Sequence, residues 1–186
     1  INKKLGMEAD TAIRLNSIGR VYETQGKYGK ALKYYEEALG IAGKLKQDDK
    51  ISAGLNNIGR VFETQGKYDT AIKHYEDALD IDKKPGQEDK VVPDLNHIGG
   101  VYETQGKYAK ALEYYEEAMG IARELKQDDH VSTGLANIGN IFKYWGQHEV
   151  AVRFYEDALA INKKLGHENK AAIRLNYIGG VYKSTG

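Results

Sequence analysis

The chain has 186 residues, with 27 basic and 27 acidic side chains, 41% hydrophobic and 29% charged residues, two prolines and no cysteine. Zero net charge removes any bulk drive toward nucleic acid or an anionic membrane, and the lack of cysteine excludes disulfides, thiolate metal sites and cysteine nucleophiles. No apolar run reaches the ~20 residues of a membrane span, and Ile1-Asn2-Lys3-Lys4-Leu5 is not the apolar start of a signal peptide, so a cytoplasmic protein is expected.

Residues 1–10 open on Ile1-Asn2-Lys3-Lys4-Leu5-Gly6, which matches Ile161-Asn162-Lys163-Lys164-Leu165-Gly166. They are expected to form a helical stub, the tail of a truncated preceding repeat. From Thr11 a forty-residue unit recurs in register: 11–50, 51–90, 91–130 and 131–170 are full copies, and 171–186 is the first half of a fifth. Leu15, Leu55, Leu95, Leu135 and Leu175 align, as do Ile18, Ile58, Ile98, Ile138 and Ile178. Glycine recurs at 19, 59, 99, 139 and 179, and an aromatic residue at 22, 62, 102, 142 and 182. Self-similarity at this period means stacked supersecondary units, none able to bury its apolar face alone.

Within a copy the spacing is helical. Leu55, Ile58, Gly59 and Phe62 fall on one face of a first helix, A; Gln65-Gly66-Lys67 breaks it; Tyr68, Ala71, Ile72, Tyr75, Ala78 and Leu79 repeat the pattern on a second, B. So short a turn makes the two antiparallel neighbours. Gly59 and Ala71 are small where the helices must approach, and Tyr75 is large where a gap must be filled. Leu45, Leu125 and Leu165 extend the apolar stripe, which predicts a helix B about one turn longer than usual. The whole chain should hold nine principal helices, alternating A and B, after the stub. One junction is unusual: Pro85 replaces the recurrent leucine and Pro93 follows, so helix B of the second copy should stop by about Lys84 and the next helix A start near Pro93.

The order L-x2-I-G-x2-Y/F, G-x-Y, A-x3-Y-x2-A resembles the tetratricopeptide repeat, although the unit is forty residues and the late proline of the family pattern is absent. This longer variant is similar to the repeats of kinesin light chains, of the LGN/Pins adaptors and of prokaryotic regulatory arrays. The resemblance covers the chain. It implies an all-α fold, a right-handed superhelical solenoid of antiparallel helix pairs forming a single segment over 1–186, and a protein-interaction scaffold.

Chemistry finds little purchase. Gly19 to Lys27 lacks the spacing and the strand of a phosphate loop, and His74, His97, His130, His148 and His167 share no metal-ligand spacing and read as scattered surface residues. The pairs Glu36-Glu37 and Glu116-Glu117 sit about 100° apart on a helix and read as solvated carboxylates. Neither an enzyme, a metal nor a cofactor is expected. What remains is the face of helix A opposite Leu55, Ile58 and Phe62, which the resemblance places on a concave groove: Asn16 and Arg20; Asn56, Asn57 and Arg60; Asn96 and His97; Asn137, Asn140 and Tyr144; Asn176. Asparagine amides donate to and accept from a peptide backbone, so a peptide or helix is the expected ligand, and alanine at Asn56, Asn57 or Asn137 should cost little stability. The family's carboxylate clamp does not fit, because Pro93 and His97 stand where it needs basic residues.

Two further roles remain open: a sensor segment of a larger signalling ATPase, and a non-catalytic, substrate-presenting arm of an enzyme. The stripe Leu175, Ile178 and Tyr182 has no following helix B to cover it, so a homodimer through the incomplete terminal repeats is also expected.

Overall fold

The structure, a computed structural model, describes the backbone of residues 2–84 and 88–185. Nine α-helices and no strand occur among the described residues. They divide into two compact units, residues 1–94 and 95–186.

The first unit contains α1 (Asn2–Thr24), α2 (Tyr28–Lys44), α3 (Asp48–Thr64), α4 (Tyr68–Asp82) and the opening turns of α5 (Glu88–Thr104). In it α1 packs on α2, α2 on α3 and α3 on α4. The second holds the rest of α5 with α6 (Tyr108–Glu124), α7 (Asp128–Tyr144), α8 (His148–Lys164) and α9 (Glu168–Thr185), where α6, α7, α8 and α9 pack in succession.

The turns from helix A to helix B follow from one residue. Gly66 takes φ +72°, a left-handed conformation open to glycine at no steric cost. The chain then reverses so that Gly66 N donates to Glu63 O at 2.9 Å and Lys67 N to Phe62 O at 2.9 Å, which satisfies carbonyls the helix end would leave unpaired. Two B-to-A turns use lysine instead, Lys46 (φ 52°) and Lys126 (φ 55°), a strained choice for a residue with a β-carbon, and the turn from α8 to α9 returns to glycine at Gly166 (φ 70°). Acidic pairs then open the next helix, Asp48-Asp49 on α3 and Asp128-Asp129 on α7, where the helix dipole favours negative charge.

Tyrosine locks each pair. A β-carbon built on Gly59 would lie 2.8 Å from Tyr75 Cε1, and one on Gly19 2.6 Å from Tyr35 Cε1; in the second unit Gly99 and Gly139 meet Tyr115 and Tyr155 at 2.7 Å. The ring fills the space glycine leaves, so the propensity cost of a helical glycine, about 1 kcal/mol, is offset by packing. Tyr35 also reaches the following helix A, since Ala31, Tyr35, Ile58 and Val61 form one core cluster. Eighty residues on, Ala111, Tyr115, Ile138 and Ile141 form its equivalent. A second aromatic ladder lies beside the tyrosines: Tyr22 on Tyr34 and Phe62 on His74 in the first unit, Tyr102 on Tyr114 and Phe142 on Phe154 in the second.

Several expectations need correction. Residues 2–10 are continuous with the first helix A in α1 rather than a separate stub, and Gly6 keeps the helical conformation with nothing within 4 Å of where a β-carbon would stand. Leu45, Leu125 and Leu165 are the residues at which α2, α6 and α8 end, and they are half-exposed to exposed, so the buried stripe stops about three residues earlier at Ala42, Ala122 and Asn162. α5 begins at Glu88, not near Pro93, which is its sixth residue. Proline there cannot donate to the Asp89 carbonyl, but burial of the adjoining Val91 and Val92 holds the helix together. The end of α4 at Asp82 does agree with the expected stop by about Lys84, and Pro85 lies outside the described residues. His74 is not a surface histidine: it is half-buried against Phe62, and burial pushes its pKa below the usual imidazole value.

Candidate binding faces of the A helices

In the first unit the exposed side of α1 and α3 carries the expected residues. Asn16, Arg20, Asn57 and Arg60 line one cleft with Ile13 and Ser17, about 370 Å³ in volume. Arg20 and Arg60 also border a neighbouring cleft of about 330 Å³ with Glu23, Thr24, Tyr28 and Thr64. Arg60 is held in place by a fork of hydrogen bonds, Nε to Glu23 Oε1 at 2.8 Å and Nη2 to Glu23 Oε2 at 2.7 Å. Its Nη2 also donates to Asn57 Oδ1 at 3.2 Å. Burial opposes the charge on Arg60, yet the hydrogen bonds and attraction of Glu23, aided by Tyr35 and Tyr75, outweigh it and raise the pKa. Glu23 is fixed in turn by the Tyr35 hydroxyl, which donates to Oε2 at 2.6 Å. Arg20 is exposed and makes no ion pair among the described residues. Asn16 Oδ1 is buried without a hydrogen-bond donor.

Asn56 is placed differently. Its Nδ2 donates to Asp94 Oδ1 at 2.6 Å, so this amide is committed to the protein's own interior, and Asn56→Ala would strand a buried carboxyl group. Asn56→Ala is therefore expected to cost stability, contrary to the expectation from the sequence.

In the second unit Asn96 and His97 lie on α5, Asn137, Asn140 and Tyr144 on α7 and Asn176 on α9. Two amides meet directly, Asn137 Nδ2 donating to Asn96 Oδ1 at 3.2 Å. Asn140 Oδ1 accepts from the Tyr155 hydroxyl at 2.8 Å. Tyr144 is 55% exposed and stacks on Tyr108 at 4.9 Å, while Tyr177 tilts against Tyr155 at 5.3 Å with the Arg174 guanidinium over its ring. His97 and Asn176 are exposed. Asparagines 96, 137 and 140 are thus partly spent inside the chain, and the exposed donors and aromatic surface are fewer than the sequence pattern implies.

The sequence pattern puts Glu23, Glu63 and Glu103 on the polar face of helix A but does not reveal that they steady the core tyrosines. Glu23, Glu63 and Glu103 accept from Tyr35, Tyr75 and Tyr115 at 2.6, 2.8 and 2.6 Å. Their forty-residue spacing was the available signal. Lys143 breaks it in the fourth copy, and there Tyr155 turns to Asn140 instead.

No group of three or more histidine, aspartate or glutamate side chains is placed to hold a metal ion among the described residues, and no described helix is long and apolar enough to cross a membrane. The tetratricopeptide repeat family model matches residues 10–84 and 94–164. The chain belongs to the tetratricopeptide repeat family. Among solved structures it is similar to BtubC (BKLC) from P. vanneervenii, with TM-score 0.70 and 19% identity over 99% of this chain and 91% of that one. The apo form of RapI matches with TM-score 0.79 and 16% identity over 92% of this chain and 48% of RapI. A signal transduction ATPase with numerous domains and a tetratricopeptide repeat sensor, from Pyrococcus horikoshii, matches with TM-score 0.82 and 19% identity over 96% of this chain and 28% of the ATPase. No curated protein matches in sequence. At these identities the likeness is one of fold, that of tetratricopeptide solenoids. Tetratricopeptide repeats generally mediate protein–protein interaction, and proteins built from them are typically non-catalytic scaffolds.

Proposed function

We propose that the A-helix faces of this tetratricopeptide chain bind an extended peptide or a helix of a protein partner. The observation that carries the reading is the cleft between α1 and α3, where Arg20 is unpaired, Arg60 is held ready by Glu23 and Asn57 by Arg60. Pre-positioned side chains lose little entropy on binding, and Arg20 can meet a carboxylate or backbone carbonyl of the ligand. The proposal places the protein in the cytoplasm, with neither nucleic acid nor membrane as partner. A regulatory segment of a larger signalling ATPase is a second role for the same face, supported at the level of fold by the sensor-bearing ATPase.

Peptides selected from a displayed random library test the reading. Arg20→Glu and Asn57→Ala should each weaken a selected peptide about tenfold or more, the first by losing a charged contact and the second an amide contact, while Glu36→Gln and Glu37→Gln on α2 should leave it unchanged. Binders indifferent to the first pair would contradict it.

Self-association is the second reading, favoured by α9. Gly179 has no atom within 4 Å where a β-carbon would stand, whereas its four counterparts each face a tyrosine ring. Leu175 and Tyr182 are 51% and 61% exposed, and a cleft of about 770 Å³ lined by Val152, Arg153, Glu156, Val181 and Tyr182 opens beside them. A second copy covering this apolar face would give a concentration-dependent dimer in sedimentation equilibrium, weakened by Tyr182→Glu. A monomer near millimolar concentration would rule it out.

A further inference from the structure

In the first unit α3, α4 and the opening turns of α5 bring two aspartates together out of reach of solvent. Asp82 and Asp94 are each 1% exposed. Ser52 Oγ donates a short hydrogen bond to Asp82 Oδ2, and Asn56 Nδ2 donates to Asp94 Oδ1. That leaves one oxygen on each, Asp82 Oδ1 and Asp94 Oδ2, buried and without a donor. Ser52 and Asn56 are one turn apart on α3, so the two carboxyl groups they hold stand side by side, and the charge and hydrogen bonding of Asp82 both act on Asp94.

The surroundings offer little to offset two negative charges. From α3 the groups facing the pair are Ser52 and Asn56, both neutral; from α5 it is Lys90, whose attraction is the weakest influence on Asp94. Lys84, two residues past the end of α4, is engaged with Asp48 of α3. Two buried carboxylates in contact cannot both stay ionised in such a setting, whereas a single proton between the orphan oxygens satisfies both at once.

We propose that Asp82 and Asp94 share one proton, and that this protonated pair is a clip joining α4 to α5 which releases when the proton leaves. Burial, and after it the charge and hydrogen bond of Asp82, push Asp94 up to about 7 against the opposing hydrogen bond from Asn56. The clip therefore opens in the physiological range. Deprotonation leaves two like charges facing each other, and the strand of hydrogen bonds from Asn56 through Asp94 and Asp82 to Ser52 loses its central link.

The repeats supply an internal contrast. Eighty residues on, Ser132 Oγ again donates to its partner, Asn162 Oδ1, at 2.9 Å, but the partner is an amide, and Arg174 stands in the register of Asp94. In the first copy the positions of Ser52 and Asp82 are Ala12 and Ala42. The acid pair belongs to this one junction, and it is independent of whether the A-helix faces bind a peptide.

The sign follows from linkage. The folded chain keeps a proton that an unfolded aspartate gives up near pH 4, so stability from the pair is full below about pH 4 and is lost as pH rises through about 7. Over that window the folding equilibrium constant falls by up to about tenfold per pH unit, and above it the contribution is flat. Carboxyl-carbon NMR of the intact chain, titrated across this range, should show one aspartate pair with an upper midpoint near 7. Asp82→Asn, which restores the amide seen at Asn162, should abolish that midpoint. In urea unfolding, the folding constant of D82N relative to wild type should rise at least about tenfold between mildly acidic and mildly alkaline pH. If every aspartate of the wild-type chain titrates below about pH 5, the shared proton does not exist, whether or not D82N folds. A D82N-to-wild-type ratio that stays constant with pH would equally overturn it.

Discussion

Alanine at Tyr75 is expected to destabilise the protein by about 3–5 kcal/mol, the range for truncating a buried aromatic side chain. The ring is completely buried against Gly59, between the two helices of its own repeat, and its hydroxyl donates to Glu63 Oε2 at 2.8 Å. Removing it opens a cavity that rigid helices cannot close and deprives a half-buried carboxylate of its donor. Phenylalanine at the same position isolates the second effect: it keeps the ring and loses only a hydrogen bond to a charged group, about 1.5–3 kcal/mol. Burial and the neighbouring Glu63 keep the Tyr75 phenol protonated well above the ordinary range, so the loss in each variant relative to wild type should not change through titration of the phenol between about pH 6 and about pH 9. Urea unfolding followed by circular dichroism measures both. A loss of less than about 1 kcal/mol for Tyr75→Ala would mean that the ring is not the lock between the helices.

Adding one methyl group should produce opposite results at two glycines that occupy the same place in the repeat. At Gly59 the new β-carbon would stand 2.8 Å from a ring that is buried and tied to Glu63, so the ring or a helix must shift. Overpacking of this kind costs about 1–3 kcal/mol, against a helix-propensity gain of about 1 kcal/mol, and the immobility of the ring puts Gly59→Ala at a net loss of about 2 kcal/mol. At Gly179 nothing lies within 4 Å, so only the propensity gain remains and Gly179→Ala should stabilise the chain by up to about 1 kcal/mol. Both variants stabilising would show that the glycine is not required by the tyrosine. Both destabilising would show that the face of α9 is covered in solution, as self-association requires.

The repeat was legible because its key residues are steric. A glycine on helix A and a tyrosine sixteen residues later are complementary shapes, and the forty-residue register repeats that complementarity without a slip. Helix type, turn position and core membership all follow from it. Pro93 misled because a proline reads as a helix start, whereas the burial of Val91 and Val92 carries α5 back to Glu88. The binding face was legible only as a polar stripe. Whether an amide points to solvent or inward depends on what the next helix presents, and Asn56 turns inward because Asp94 waits there. A signal for Asp94 did exist in the register. Its counterparts Gly54 and Gly134 would each place a β-carbon within 3.2 Å of a neighbouring side chain, which marks a close-packed position where a carboxyl group must find a partner.

The central claim is that the A-helix faces carry the binding function, and amide-resolved NMR of the intact chain with a library-selected peptide tests it most directly. Titration should shift the resonances of Asn16, Arg20, Asn57 and Arg60, with the Glu23 amide following because it holds Arg60, and leave the outer residues of α2 and α4 unmoved. Shifts concentrated on Glu36, Glu37, Glu76 and Asp77, with the α1–α3 cleft silent, would contradict it.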